Sequence, residues 1–199
     1  MKDWVGNKTS VFNTIGARNC AVGERENNDY YATDPRAVSA LLEVKKLQGC
    51  IYECACGAGH LSRELERAGY TVYSSDLIDR GYGMSGVDFL ALKQLPDGCQ
   101  TILTNPPYKY STQFISHSLH LLPNGGEAIF LLNITSLAGK LRFREFYSQG
   151  KLKEVYVFSG RIICAKNADF IAATSGAVNY AWFVFSNTER NSPTKIYWL

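Results

Sequence analysis

The sequence contains no apolar run long enough to cross a membrane. Its longest uninterrupted apolar stretches, such as 128–132 and 181–185, fall far short of the roughly 18 residues that a spanning helix needs. Met1-Lys2-Asp3-Trp4 opens no secretory signal, so a cytoplasmic location is expected. Internal repeats and low-complexity tracts are missing as well, which argues against a fibrous or disordered chain. There is also no Cys-x-x-Cys pair: Cys54-Ala55-Cys56 lacks the two-residue spacer of a zinc knuckle or a redox pair. In a secreted chain the six cysteines could form a disulfide framework. Cys50, Cys54, Cys99 and Cys164, however, sit inside apolar, strand-like runs and read as small buried hydrophobes with free thiols.

What is present fits one globular domain. At 199 residues, 46% hydrophobic and 20% charged, the chain can bury a continuous core without staples. The net charge of +3 hides an asymmetry: residues 1–100 carry 11 Lys/Arg against 13 Asp/Glu, whereas residues 101–199 carry 10 against 5. A polyanionic partner is therefore permitted on the second half.

Residues 1–29 show no sustained period and read as an irregular lead-in, leaving 30–199 as a single domain. Asp34-Pro35 gives a helix start, and Val38, Leu41, Leu42 and Leu47 give that helix an apolar face ending near Gly49. Strands are then expected over 50–54, 70–74, 99–104 and 128–133, alternating with helices over 61–68, 112–122 and 140–149. This βαβ logic predicts an α/β fold: a mostly parallel twisted sheet with helices on both faces. The strand-like segments 153–158, 181–186 and 195–199 have no helix between them and predict a C-terminal antiparallel strand pair.

Three motifs carry chemistry. Glu53-Cys54-Ala55-Cys56-Gly57-Ala58-Gly59-His60 falls at a strand-to-helix junction, where Gly57 and Gly59 allow a tight turn close to a ligand. A plain glycine turn is the competing reading. A dinucleotide site wants Gly or Ala three residues after the second glycine, and Ser62 stands there. Asp76, at the end of the next strand, can accept both hydroxyls of an adenosine ribose, or simply cap a loop. Val87-Asp88-Phe89-Leu90 offers a carboxylate beside a ring that could hold an adenine, though Asp88 could equally cap a short helix. Most telling is Thr104-Asn105-Pro106-Pro107-Tyr108 directly after a strand. Two prolines remove two amide donors and leave carbonyls and the Asn105 carboxamide as acceptors at the carboxyl edge of the sheet. Such a site receives an NH2 group, and Tyr108 adds a ring on which a flat base can stack.

These motifs together resemble those of S-adenosylmethionine-dependent methyltransferases, with Asn105-Pro106-Pro107-Tyr108 similar to the catalytic tetrapeptide of the N6-adenine DNA methyltransferases. Asp29-Tyr30-Tyr31-Ala32-Thr33-Asp34-Pro35 resembles the additional cofactor motif those enzymes carry ahead of the glycine loop. Ser159-Gly160-Arg161-Ile162 and the stretch from Ser175 to Trp182 are similar to their final motifs, and the likeness is greatest to the small enzymes of bacteriophages and prophages. The resemblance implies a Rossmann-like class I methyltransferase fold and transfer of a methyl group from S-adenosyl-L-methionine to adenine N6 in DNA. It implies base flipping, release of S-adenosyl-L-homocysteine and no metal. It assigns catalysis to Asn105, Pro106, Pro107 and Tyr108, and cofactor binding to Tyr31, Thr33, Pro35, Glu53, Cys54, Gly57, Gly59, Asp76, Asp88 and Phe89. RNA adenine and a protein glutamine amide present a similar planar NH2 and remain alternatives, as does a non-catalytic nucleic-acid-binding protein that keeps the fold. No membrane and no obligate protein partner are expected.

The nucleic-acid face is expected on Lys140, Arg142, Arg144, Lys151, Lys153, Arg161 and Lys166. Between 138 and 170 these are opposed only by Glu145, Glu154 and Asp169, and the segment follows the catalytic loop in sequence. A solvated helix face is the alternative reading.

Overall fold

The computed structural model describes residues 32–160, 162, 164–165, 178–188 and 193–199. The lead-in over 1–29, the motif residues Tyr30 and Tyr31, and the candidate cations Arg161 and Lys166 lie outside the described residues.

The chain runs β1 (Ala32–Thr33), α1 (Arg36–Val44), β2 (Cys50–Glu53), α2 (His60–Arg67), β3 (Val72–Ser74), β4 (Cys99–Thr104), α3 (Ser111–Leu121) and β5 (Glu127–Asn133). It continues with α4 (Lys140–Arg142), β6 (Leu152–Val157), β7 (Cys164–Ala165), β8 (Tyr180–Ser186) and β9 (Lys195–Trp198). Most elements expected from periodicity are in place to within one or two residues, but α1, expected to run to near Gly49, ends at Val44, where Lys45 turns extended and Leu47 reaches the core from the connection. One differs in kind: the helix expected over 140–149 makes a single α-turn and then widens into a π-helical turn over Phe143–Tyr147, where the Ser148 amide donates back to the Phe143 carbonyl at 2.8 Å. The wide turn carries Phe146 inward onto Phe185, 5.9 Å between ring centres, and leaves Phe143 exposed.

Seven strands form one sheet in the order β3-β2-β4-β5-β8-β6-β9. β3, β2, β4 and β5 are parallel, while β8 inserts antiparallel between β5 and β6. The expected antiparallel pair is thus β6 with β8, whereas β9 runs parallel to β6 at the edge. β8 takes an interior place because Trp182, Phe183, Val184 and Phe185 are all fully buried, and only a strand covered on both faces accommodates such a run. Alternation then sorts the core. Ile102, Phe130, Phe183 and Phe185 face the side covered by α3 and Phe146; Leu103, Ile129, Leu131, Trp182 and Val184 face α1 and α2. The Trp182 indole fixes α1 by donating to the Ala37 carbonyl at 2.8 Å. Outside this sheet, β1 pairs antiparallel with β7 in a two-stranded ribbon, setting Thr33 opposite Cys164.

Candidate active site

In the strand order, β2 lies between β3 and β4, so the connections leaving β2 and β4 diverge to opposite sides. An open α/β sheet forms its ligand crevice at such a switch point, outside the carboxyl ends of the strands. The glycine loop leaves β2 there. Gly57 and Gly59 have φ of 55° and 79°, both in the left-handed region, and Gly59 caps α2. A Cβ on Gly59 would lie 2.4 Å from the Tyr82 ring. The close approach that this glycine permits in the described structure is to Tyr82. Tyr82 is held in turn by the Arg63 guanidinium, 4.5 Å from its ring centre, and by its hydroxyl donating to Glu66 at 2.8 Å.

The crevice is a cavity of about 670 Å³. Glu53, Cys54, Asp76, Asp88, Phe89, Thr33 and the whole of Asn105 to Tyr108 line it, so one space gathers most of the residues that the sequence singles out. Asp76 accepts from the Gly57 amide at 2.8 Å and from the Ile78 amide at 2.9 Å, one bond to each oxygen. Glu53 is almost fully buried. Burial raises its carboxyl to about 8, against the opposing hydrogen bond from Ser62 and reinforced by the nearby Asp76 charge. Ser62, fully buried, bonds both Glu53 and the Ser74 hydroxyl, so the position where a dinucleotide fold packs a glycine here anchors the acid.

Opposite the glycine loop, the tetrapeptide leaves β4. The Asn105 amide nitrogen donates to the Thr33 hydroxyl at 2.9 Å and points at the Cys164 sulfur at 3.8 Å. Its oxygen, Oδ1, is buried and has no hydrogen-bond partner among the described residues. Tyr108 stacks on Tyr180 with ring centres 6.2 Å apart and planes 23° apart. Burial, with Cys164 and Tyr180 nearby, pushes its hydroxyl far above the ordinary phenol range. That stack covers one face of the Tyr108 ring.

The sequence candidates are placed unevenly around this cavity. Pro35 and Gly59 do not line the cavity: Pro35 opens α1 beside the Asp34 cap, and Gly59 serves Tyr82. Gly57 acts through its amide on Asp76 rather than as cavity wall. Phe89 is 2% exposed and packs on Phe114 at 4.9 Å and edge-on to His117 at 5.1 Å, so its ring is core with one edge on the cavity. Asp88 caps the short turn after it, accepting from the Leu90 amide at 2.9 Å, while still facing the cavity. Tyr31 lies outside the described residues. Arg80, Leu77 and Ile78 line the cavity without any motif to announce them, and His60, which closes the glycine motif without an assigned role, lines it too. Burial and the charge of Arg63 lower the His60 imidazole from its ordinary value.

The basic set divides. Lys140 and Arg144 are exposed, and Arg142 donates to the Ser111 hydroxyl at 3.4 Å, which in turn donates to the Tyr108 carbonyl at 3.1 Å. All three follow the carboxyl end of β5, and Arg142 reaches the tetrapeptide through Ser111. Lys151 and Lys153 stand at the start of β6, on the opposite edge of the sheet. Lys153 is also committed elsewhere: with Lys45 it pairs the buried Glu127 at 2.7 and 2.9 Å, and Lys45 continues to Glu154 at 3.0 Å. Burial would raise the Glu127 carboxyl, but the two ammoniums hold it below its ordinary value.

Among the described residues, no group of three or more His, Cys, Asp and Glu is placed to share a metal, and no helix is long and apolar enough to cross a membrane. Cys50, Cys54, Cys56, Cys99 and Cys164 are free thiols.

No protein-family model matches the sequence, and no curated protein matches it. Solved structures do match in fold. A Listeria monocytogenes protein described as a class I S-adenosylmethionine-dependent methyltransferase superposes with a TM-score of 0.59 at 15% identity, over 96% of this chain and 71% of that one. A Thermoplasma acidophilum protein gives 0.55 at 15% identity, over 84% of this chain and 93% of that one. A dimethyladenosine transferase of Plasmodium falciparum gives 0.52 at 16% identity, over 78% and 62%. The architecture is the Rossmann-like class I methyltransferase fold.

Proposed function

We propose that this chain transfers a methyl group from S-adenosylmethionine to the N6 amine of adenine in DNA. The observation that carries the reading is Asn105 Oδ1, a buried acceptor with no donor among the described residues, on a side chain that lines the cavity and is followed by two prolines that have no N–H to offer. A buried, unpaired acceptor is costly in the empty protein, and a substrate N–H removes that cost.

The cavity suits the cofactor chemically. Glu53, Asp76 and Asp88 make its wall rich in carboxylates, which fits a ligand carrying a sulfonium and an ammonium better than a pyrophosphate. Asp76 keeps a free lone pair on each oxygen for ribose hydroxyls, and Leu77 and Ile78 offer apolar surface beside it. When bound, S-adenosylmethionine supplies the electrophilic methyl group. Asn105 Oδ1 and the Pro106 carbonyl accept the two N–H bonds of the amine and direct its lone pair into the cavity, and the free face of Tyr108 stacks on the base. An adenine inside a duplex cannot reach this wall, so it is flipped out or already unpaired.

A nucleic acid is favoured over a protein amide as acceptor because exposed Leu141 and Phe143 alternate with Lys140, Arg142 and Arg144 after the carboxyl end of β5. This is the mixed apolar and cationic surface on which bases and phosphates bind together. The resemblance carried by Asn105 through Tyr108 narrows the nucleic acid to DNA. Nucleoside mass spectrometry on DNA and RNA from cells with and without the expressed chain tests the proposal. N6-methyladenine rising in DNA is the expected result. A rise in RNA alone moves the activity to RNA, and no rise in either, with the purified protein binding S-adenosylmethionine, points to a glutamine amide or another amine.

A further inference from the structure

The resemblance gives Thr33 to the cofactor, but its hydroxyl is engaged elsewhere, by the amide nitrogen of Asn105 at 2.9 Å. Thr33 is 4% exposed and belongs to β1, and directly across the β1–β7 ribbon stands Cys164, whose sulfur is the second acceptor near that nitrogen at 3.8 Å. The Thr33 hydroxyl also faces the Cys164 sulfur, as do Tyr108 and Tyr180. The ribbon therefore sits behind the catalytic loop, with its two paired side chains on one end of the Asn105 carboxamide.

A carboxamide has two ends of nearly equal shape and opposite polarity. If nothing holds it, rotation by half a turn presents its NH2 in place of its oxygen, and an NH2 facing a substrate amine is donor against donor. A hydroxyl can donate or accept, but the Thr33 proton is directed at the Cys164 sulfur, so toward Asn105 the Thr33 oxygen accepts, as does the sulfur. They hold the nitrogen end, which leaves Oδ1 as the unengaged end of a side chain that lines the cavity, buried and without a partner among the described residues.

We infer that the β1–β7 ribbon sets the polarity of the site: Thr33, assisted by Cys164, is a positioning residue that locks Asn105 with its oxygen toward the substrate, and so selects NH2 donors over carbonyl acceptors. The chemical consequence rests on the methyl-transfer reading, whereas the orientation of Asn105 does not. Two measurements keep these apart.

The first is nuclear magnetic resonance on protein labelled with 15N at asparagine, the Asn105 side-chain pair being assigned by its loss in Asn105→Asp. The wild type should show two resolved, exchange-protected amide protons. Thr33→Val keeps the shape and burial but removes the acceptor, and should accelerate exchange of that pair at least on the order of tenfold; Thr33→Ser should restore protection. The second is steady-state kinetics with S-adenosylmethionine and adenine-containing DNA. A mis-set reacting group can cost up to about 100-fold, so Thr33→Val should lower kcat by roughly 10- to 100-fold while the cofactor Kd by calorimetry stays within about twofold, and Thr33→Ser should recover most of the rate.

Unchanged Asn105 resonances in Thr33→Val overturn the positioning role. A raised cofactor Kd with normal kcat returns Thr33 to the cofactor and overturns it equally. A wild type that methylates no nucleic acid removes the proposed function, and the amide resonances then still decide the orientation.

Discussion

The Gly57 amide donates to the Asp76 carboxylate across 2.8 Å, joining the turn after β2 to the end of β3. Asp76 is therefore part of the loop's framework as well as of the cavity wall, with the Ile78 amide on its other oxygen at 2.9 Å.

Asp76→Ala should weaken S-adenosylmethionine binding strongly. It removes the loop tie together with two charge-assisted acceptor positions for the ribose, each worth roughly 1.5–3 kcal/mol. Isothermal calorimetry measures this, and an unaltered Kd in a folded variant would remove Asp76 from the cofactor site. Asp76→Asn keeps one acceptor oxygen and should fall between the two.

Glu53 makes cofactor binding depend on pH. Burial raises its carboxyl from 4.5 to about 8 in the folded protein. Between these values the native state holds a proton that the unfolded chain has released, so stability should fall as pH rises through that window and level off above it. A cationic ligand favours the ionised form. Cofactor affinity should accordingly increase toward pH 8, and binding at pH 7 should release a proton, visible as a dependence of the calorimetric heat on buffer ionisation enthalpy. Glu53→Gln should abolish both the proton release and the stability slope; a variant that retains them assigns the titration to another group.

Asn105→Ala should remove methyl transfer while leaving the fold and most cofactor affinity, because its side chain contacts Thr33 and the substrate position rather than the glycine loop. A tritium-methyl transfer assay checks the rate and calorimetry the affinity. Turnover close to normal contradicts the acceptor role.

The parts of this site that are legible in the sequence are those made by neighbours in the chain. Two prolines after Asn105, glycines between β2 and α2, and the apolar runs of β4 and β5 each act within a few residues, so strand ends, turns and most of the cavity wall follow from local rules. Contacts between distant residues do not show. Thr33 meets Asn105 72 residues away, and Gly59 is required by a ring 23 residues on. Lys153 looks like a free cation until β5 places the buried Glu127 beside it. The insertion of β8 between β5 and β6 is likewise a matter of which strands need cover on both faces, which no single segment records.

Tyr108→Ala should cost more on a paired target adenine than on an unpaired one. With Tyr180 stacked on one face of the Tyr108 ring, the other face offers one base a stacking platform, worth about 1–3 kcal/mol, and this must offset extrusion only in the duplex. Rates on matched single- and double-stranded oligonucleotides measure the difference, and equal losses on both contradict a role in holding an extruded base.

The division of the basic residues between the two sheet edges gives a test with its own control. Lys140 and Arg144 are exposed and follow the carboxyl end of β5, whereas Lys151 lies at the opposite edge, where its ammonium donates to the Asn187 carbonyl at 3.1 Å. Phosphate contacts release counterions, so the logarithm of DNA affinity should fall with the logarithm of salt by about 0.9 for each phosphate neutralised on a duplex and about 0.7 on a single strand. Replacing Lys140 and Arg144 by Ala should flatten that slope by roughly one to two units and weaken all sequences alike, because backbone contacts carry no base information. Arg142 is left in place in this pair, since its guanidinium supports Ser111 and through it the Tyr108 carbonyl. Lys151→Ala should leave the slope as it is. If Lys151→Ala flattens the slope and the double variant does not, the strand runs along the amino-terminal edge, away from the cavity, and the carboxyl-edge cations are a solvated face.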